Sequence, residues 1–220
     1  MALILNIETT TTNCSVSLSK KGETLVLKED YNLNYSHAES LHVFIDEVFK
    51  STKIDLSKID AIAVSKGPGS YTGLRIGVSA AKGLCYALGK PLISVSTLES
   101  LSHQIKIDQG YIVPMLDARR MEIYSSVFES NHNQIREIRA EILDESSFSE
   151  YLKKGKVYFT GNGVEKAKTV LTNANAIFIE NKLPSANNMA NLAYQKYLNN
   201  DFEDVAYFEP YYLKDFLPIG

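Results

Sequence analysis

The chain has 220 residues, 45% of them hydrophobic and 22% charged, an ordinary globular composition with length enough for two small lobes. A formal net charge of −3 and an isoelectric point near 5.9 exclude an extended phosphate-gripping surface, so any RNA contact has to be local or shared with a partner. No apolar run approaches the roughly 18 residues that cross a bilayer, and MALILNIE enters a strand pattern without signal-peptide features. A cytoplasmic protein with no membrane association is expected.

Residues 2–8 alternate, with Leu3, Leu5 and Ile7 on one side. TTTTN then breaks the pattern, as small hydroxyl side chains and Asn do in tight turns. CSVSLSKK follows with Cys14, Val16 and Leu18 on alternate positions, and ETLVLKED completes an antiparallel meander, because each link is too short for a crossover helix. Ser36 and Glu39 form an S-x-x-E capping box for a helix over 37–50. On it Ala38, Leu41, Phe44, Ile45, Val48 and Phe49 share an arc of roughly 140°, with Val43 nearly opposite.

IDAIAVSKG reads as a buried strand closing at Gly67, and a second helix runs over 74–88 to the stop Gly89-Lys90-Pro91. Arg75, Ser79, Lys82 and Tyr86 make one narrow polar line on it, so most of its sides need cover. PLISVS is the next strand and TLESLSHQI a further helix with Thr97 as cap. The β-β-β-α-β-α-β order is complete by residue 96, and residues 1–105 are assigned to the first lobe. Residues 106–220 are assigned to a smaller α/β lobe. It holds two strands around the Asp117-Ala118-Arg119-Arg120 bend, a strand-turn-helix at VYFTGNGVEKAKTVL, a helix from Ser185, and an ordered aromatic tail.

That element order, with a small polar turn after the first strand, is the opening half of the actin, hexokinase and Hsp70-like (ASKHA) fold. There the turn holds nucleotide phosphates through backbone N–H groups and short hydroxyls. Thr9 and Thr10 are therefore possible phosphate contacts, against the alternative of a plain hairpin turn. Gly67, Gly69 and Gly73 in KGPGSYTGLRIG lead a strand into a helix, which suits either an anion cradle or a rigid connector. The segment is neither a Walker A loop nor a G-x-G-x-x-G fingerprint. Arg119 offers a guanidinium to a phosphate, with a solvated bend tied by local salt bridges as the alternative.

The opening ILNIETTTTNCSVSL, SHAESL at 36–41, KGPGSYTGLRIGVSAAKGL, LDARRMEIY and the EPYYLKD of the tail together resemble the TsaB (YeaZ) family. The resemblance spans the whole chain, strongly to about residue 125. It implies a non-catalytic paralogue of TsaD, heterodimerising with that subunit in threonylcarbamoylation of a tRNA adenosine next to the anticodon. It further implies an ATPase, TsaE, in the complex, tRNA bound through the complex, and ATP and a metal ion held by partner subunits with no cofactor on this chain alone. Glu8 stands where the family more often has Asp, and Lys214 where Arg is common.

TsaD holds a metal through a helical histidine pair. Here His37 and His42 are five apart, about 140° around a helix, whereas a metal pair is spaced i, i+4, and His103 and His132 have no histidine near them in sequence. No metal site and no catalytic residue is nominated. Cys14 and Cys85 are expected reduced, buried and inert. Docking is assigned to the apolar stripes of the two helices, with Leu41, Phe44, Ile45 and Val48 as anchors and His37, Arg75, Ser79 and Lys82 as polar neighbours. Homodimerisation is expected when the partner is missing. The rival readings are a small ATP-dependent phosphotransferase of the same fold and an independent peptidase.

Overall fold

The computed structural model describes residues 2–30 and 37–214. The chain divides into two compact units, one comprising residues up to Ser100 together with Pro184–Tyr212, the other Leu101–Leu183 with the segment from Leu213.

In the first unit, β1 (Leu3–Glu8), β2 (Cys14–Lys20) and β3 (Glu23–Asp30) form the expected antiparallel meander, followed by α1 (His37–Thr52), β4 (Ala61–Gly67), α2 (Tyr71–Leu88) and β5 (Leu92–Ser96). The sheet order is β3-β2-β1-β4-β5, with β4 parallel to both β1 and β5. This is the β-β-β-α-β-α-β lobe of the ASKHA fold. Ser36, proposed to cap α1, lies outside the described residues. Ser70 caps α2 by accepting from Gly73 N, and Gly89, at φ 62°, ends it with its N–H on the Cys85 carbonyl.

Period-two alternation sorts the strands between two faces. Leu3, Leu5, Ile7, Cys14, Val16 and Leu18 point to one face, where Leu41, Ile45 and Val48 of α1 and Val78, Ala81 and Cys85 of α2 complete the core. Ala2, Ile4, Ala61, Ala63, Ile93 and Val95 point to the other. That second face is covered by α6 (Ala186–Leu198), through Ala186, Met189 and Ala193.

The serines that alternate with the apolar residues of β2 receive α6. Ser17 Oγ donates to Ala186 O at 3.0 Å, Ala186 N to Ser15 Oγ at 2.9 Å, and Asn13 Nδ2 to Pro184 O at 2.9 Å. Residues 184–212, assigned from sequence to the second lobe, therefore pack with the first. A sheet apolar on both faces needs two layers of cover, and α6 supplies the second. The tail follows along the same unit: Glu203 bridges Leu92, and Tyr211 N donates to Lys66 O at 2.7 Å.

After α3 (Thr97–Ser102), the second unit contains β6 (Tyr111–Asp117), β7 (Glu122–Glu129), β8 (Gln134–Ile142), α4 (Ser149–Leu152), β9 (Val157–Thr160), α5 (Val164–Val170) and β10 (Ala176–Ile179). Its sheet order is β10-β9-β6-β7-β8. Val113, Met115, Ile123, Val127, Phe159, Val164 and Ala167 form its main core. Phe159 stacks on Phe178 and meets Phe148 edge-on at 5.3 Å.

Candidate functional site

Each sequence-derived site residue has a definite place. The β1–β2 turn and the glycine segment are brought together, but against each other. Thr9 Oγ1 donates to the Gly73 carbonyl at 2.7 Å, and Ser70 N donates to the Thr10 carbonyl at 2.7 Å. A Cβ on Gly69 would lie 2.5 Å from Thr10 Cβ and 2.6 Å from its carbonyl oxygen; on Gly73 it would overlap the Thr9 carbonyl, and on Gly77 the Thr9 hydroxyl. The glycines are thus required by close contact between helix and turn, with the Thr9 and Thr10 backbone at Gly73 and Gly69 and with the Thr9 side chain at Gly77. Gly67, at φ 108°, meets the Tyr211 carbonyl of the tail in the same way.

Beneath the turn Glu8 is fully buried. Its Oε1 accepts from Thr10 N at 2.6 Å and from Thr10 Oγ1 at 2.5 Å, while Ser65 Oγ donates to Oε2. Both threonine hydroxyls face protein acceptors and are buried at 1% exposure. Thr9, Thr10, Gly67 and Gly69, expected from sequence as phosphate contacts, are engaged here by protein: Thr9, Thr10 and Gly69 in the contact between the turn and the segment leading into α2, and Gly67 against the tail. One buried carboxylate thereby joins the β1–β2 turn at Thr10 to β4 at Ser65.

A second correction concerns the helix faces. Leu41 and Val48 are 0% exposed and Ile45 7%, all inside the unit's own core, with Phe44 half-buried against it. The broad apolar stripe of α1 thus covers its own sheet: Leu41, Ile45 and Val48, expected as docking anchors, are buried within the unit, and Phe44 keeps part of its surface. Val43, on the far side, is 51% exposed. The His37 side chain lies outside the described residues.

On α2, Arg75 and Ser79 stand exposed with Gly83, Tyr86 and Ala87. A Cβ on Gly83 would meet nothing within 4 Å, and Tyr86 is 87% exposed. Arg75 lies over the Tyr71 ring at 4.1 Å. Lys82 is half-buried and donates to the Ala206 and Phe208 carbonyls at 3.1 and 3.0 Å, so it anchors the tail. Arg119 stands exposed on the β6–β7 bend.

Among the described residues no three His, Cys, Asp or Glu side chains gather as metal ligands. His103 and His132, remote in sequence, stack with ring centroids 4.1 Å apart; the β7–β8 turn carries one to the end of α3, a long-range contact that sequence separation hides. Burial pushes the Cys14 and Cys85 thiols up to about 12, with Glu8 and Asp30 adding to the effect at Cys14. Neither is a thiolate nucleophile at neutral pH. No helix among the described residues is long and apolar enough to cross a membrane.

The family model described as TsaD: tRNA N6-adenosine threonylcarbamoyltransferase matches residues 33–216. The tRNA threonylcarbamoyladenosine biosynthesis protein TsaB of Haemophilus influenzae is 30% identical over 96% of this chain and 93% of its own length. That of Escherichia coli is 27% identical over 96% and 94%. YeaZ from Pseudomonas aeruginosa superposes with a TM-score of 0.83 at 24% identity, over 97% of this chain and all of the other, which shows a shared fold. The chain belongs to the TsaB family of tRNA threonylcarbamoyladenosine biosynthesis proteins, a branch of the wider threonylcarbamoyltransferase family whose model spans most of its length.

Proposed function

We propose that this chain is the non-catalytic subunit of a tRNA threonylcarbamoyltransferase complex, acting by docking onto a TsaD-type paralogue and holding it in its competent state. The observation that carries the reading is the full-length relationship to TsaB proteins. The closed turn supports it: the Thr9 and Thr10 hydroxyls, which in this fold would face nucleotide phosphates, donate to Gly73 and Glu8 instead. That packing also disfavours the phosphotransferase reading. ATP and a metal ion belong, in this reading, to the partner subunits, and TsaE and tRNA join through the complex.

The docking face is the outer surface of α2, where Ser79, Gly83 and Ala87 follow at four-residue spacing and stand exposed. Small residues at that spacing let a second helix approach closely. Val43 on the outer side of α1 and Tyr86 on α2 supply exposed apolar area. The occupant is the equivalent helix pair of the paralogue. Without it, a second copy of this chain takes the same face, giving a homodimer.

The test is co-purification with the TsaD-type paralogue, comparing the parent with Gly83→Arg and Val43→Glu. Both changes lie on exposed positions, so the isolated variants should melt no lower than the parent, Gly83→Arg slightly higher, while losing the partner and running as monomers. Retention of the partner by both would overturn this placement. Leu41→Glu is unsuitable, because it breaks the core first.

A further inference from the structure

The β6–β7 bend, Asp117-Ala118-Arg119-Arg120, is tightly organised. Arg119 N donates to Asp117 Oδ1 at 2.6 Å, Ala118 N to the Glu122 carbonyl at 3.0 Å, and Glu122 N to the Arg119 carbonyl at 3.1 Å. Arg119 and Arg120 sit at φ 72° and 48°. The left-handed region costs an L-residue with a Cβ about 1–2 kcal/mol per position, and Gly or Asn would adopt it more readily. Two consecutive arginines held there point to a role for their side chains beyond turning the chain.

Local salt bridges would be the plain explanation of two arginines beside two acids, but those bridges are made by lysines. Lys166 Nζ donates to Asp117 Oδ1 at 2.7 Å and to the Glu122 carbonyl at 3.1 Å. Lys214 Nζ pairs with the Glu122 carboxylate. Four cations (Arg119, Arg120, Lys166, Lys214) against two carboxylates leave two positive charges on the bend. Both guanidiniums are exposed and make no hydrogen bond or ion pair with a described residue. In a chain of net charge −3, this is a local positive point of the kind that suits one or two phosphates, not an RNA-coating face.

We infer that the bend is a phosphate-binding site, with Arg119 and Arg120 donating to the non-bridging oxygens of a phosphate group. Adjacent guanidiniums present planar forks that match such oxygens bidentately, and they do so without being drawn off by the neighbouring acids. The phosphate belongs to an RNA backbone or to a nucleotide; both offer the same oxygens. The site lies wholly within the second unit and stands whether or not α2 docks a paralogue.

The test uses the isolated full-length chain, with a short labelled RNA hairpin read by anisotropy and with ATP and pyrophosphate by calorimetry, between about 50 and 200 mM salt. The double variant R119Q/R120Q should weaken binding roughly tenfold or more. It should also flatten the slope of log affinity against log salt by about 1.4–1.8, the value for two lost phosphate contacts. R119K/R120K, which keeps charge but loses the fork, should retain the slope. RNA binding without ATP or pyrophosphate binding assigns the site to an RNA backbone, and the reverse assigns it to a nucleotide. Binding by neither, or a double glutamine variant that binds as the parent does while melting at the same temperature, overturns the assignment.

Discussion

Thr9 and Gly73 meet at two points: the Thr9 hydroxyl donates to the Gly73 carbonyl at 2.7 Å, and the Gly73 Cα faces the Thr9 carbonyl so closely that a Cβ would overlap it. The first turn of α2 therefore lies on the β1–β2 turn without a gap. Gly73→Ala should cost about 3 kcal/mol, since backbone on both sides has to move, lowering the melting temperature by roughly 6–12 °C. Gly83→Ala, on the open side of the same helix, should raise stability by about 0.5–1 kcal/mol through the better helix propensity of alanine. Thermal melts of both variants check the pair. Equal effects would mean that helix propensity, not contact, governs Gly73.

Coverage of the first sheet by α6 makes a different prediction. Ala193 is fully buried against the Ala and β-branched face of β1, β4 and β5. Ala193→Glu places an unpaired charge there, at a cost of about 3–5 kcal/mol. Hydrogen exchange should then show lost protection across β1, β4 and β5 as well as in α6. Loss confined to residues 184–212 would mean that the helix is a mere appendage.

Local pattern carried much of this architecture into the sequence. The alternation of Leu3, Leu5 and Ile7 and of Cys14, Val16 and Leu18 placed both strands and their inward face, and Gly89-Lys90-Pro91 marked the end of α2. What stayed hidden was long-range. The serines at 15, 17 and 19 are fully buried beneath α6, and their cover is not written in the alternation, because a hydroxyl fits a solvent and a helix terminus equally well. The stripe on α1 was legible, but periodicity does not say whether its cover lies in the same chain. The three glycines of the loop were legible as close-approach residues; that Gly69 and Gly73 approach Thr10 and Thr9, and Gly67 the tail at Tyr211, is a long-range placement that spacing alone does not encode. The β8 strand, QIREIRAEI, carries four charges, Arg136, Glu137, Arg139 and Glu141, in nine residues and lacks the apolar run that would have announced it.

The two thiols give a kinetic readout of the same core. With Cys14 and Cys85 pushed up to about 12, roughly one in 10⁴ is a thiolate at pH 8, and both side chains are buried at 3% and 2% exposure. Iodoacetamide should leave the native chain unlabelled and add two carboxamidomethyl groups in guanidinium. Rapid labelling of either cysteine in the native state would show that the sheet opens on that side, and would place the weakness at β2 or at α2.

The stacked imidazoles predict a pH dependence whose sign follows from burial. His132 is held below its ordinary value of 6.5, first by desolvation and then by the neighbouring His103, with Ser102 Oγ 3.4 Å from His103 Nδ1 and 3.5 Å from His132 Nδ1. A depressed histidine binds fewer protons folded than unfolded as pH falls below 6.5, so its contribution to stability is fully present above that pH. It is lost as pH drops through the lower folded value. His132 sits at φ 65° with its N–H on the Glu129 carbonyl at 2.9 Å, and Asn tolerates that backbone. His132→Asn should therefore keep the β7–β8 turn and remove the titration. Melting temperatures of parent and variant, followed from about pH 7 down to about pH 5, should fall more steeply for the parent. Parallel curves would mean that His132 is as well solvated in the folded chain as in the unfolded one, and that the stack carries no proton linkage.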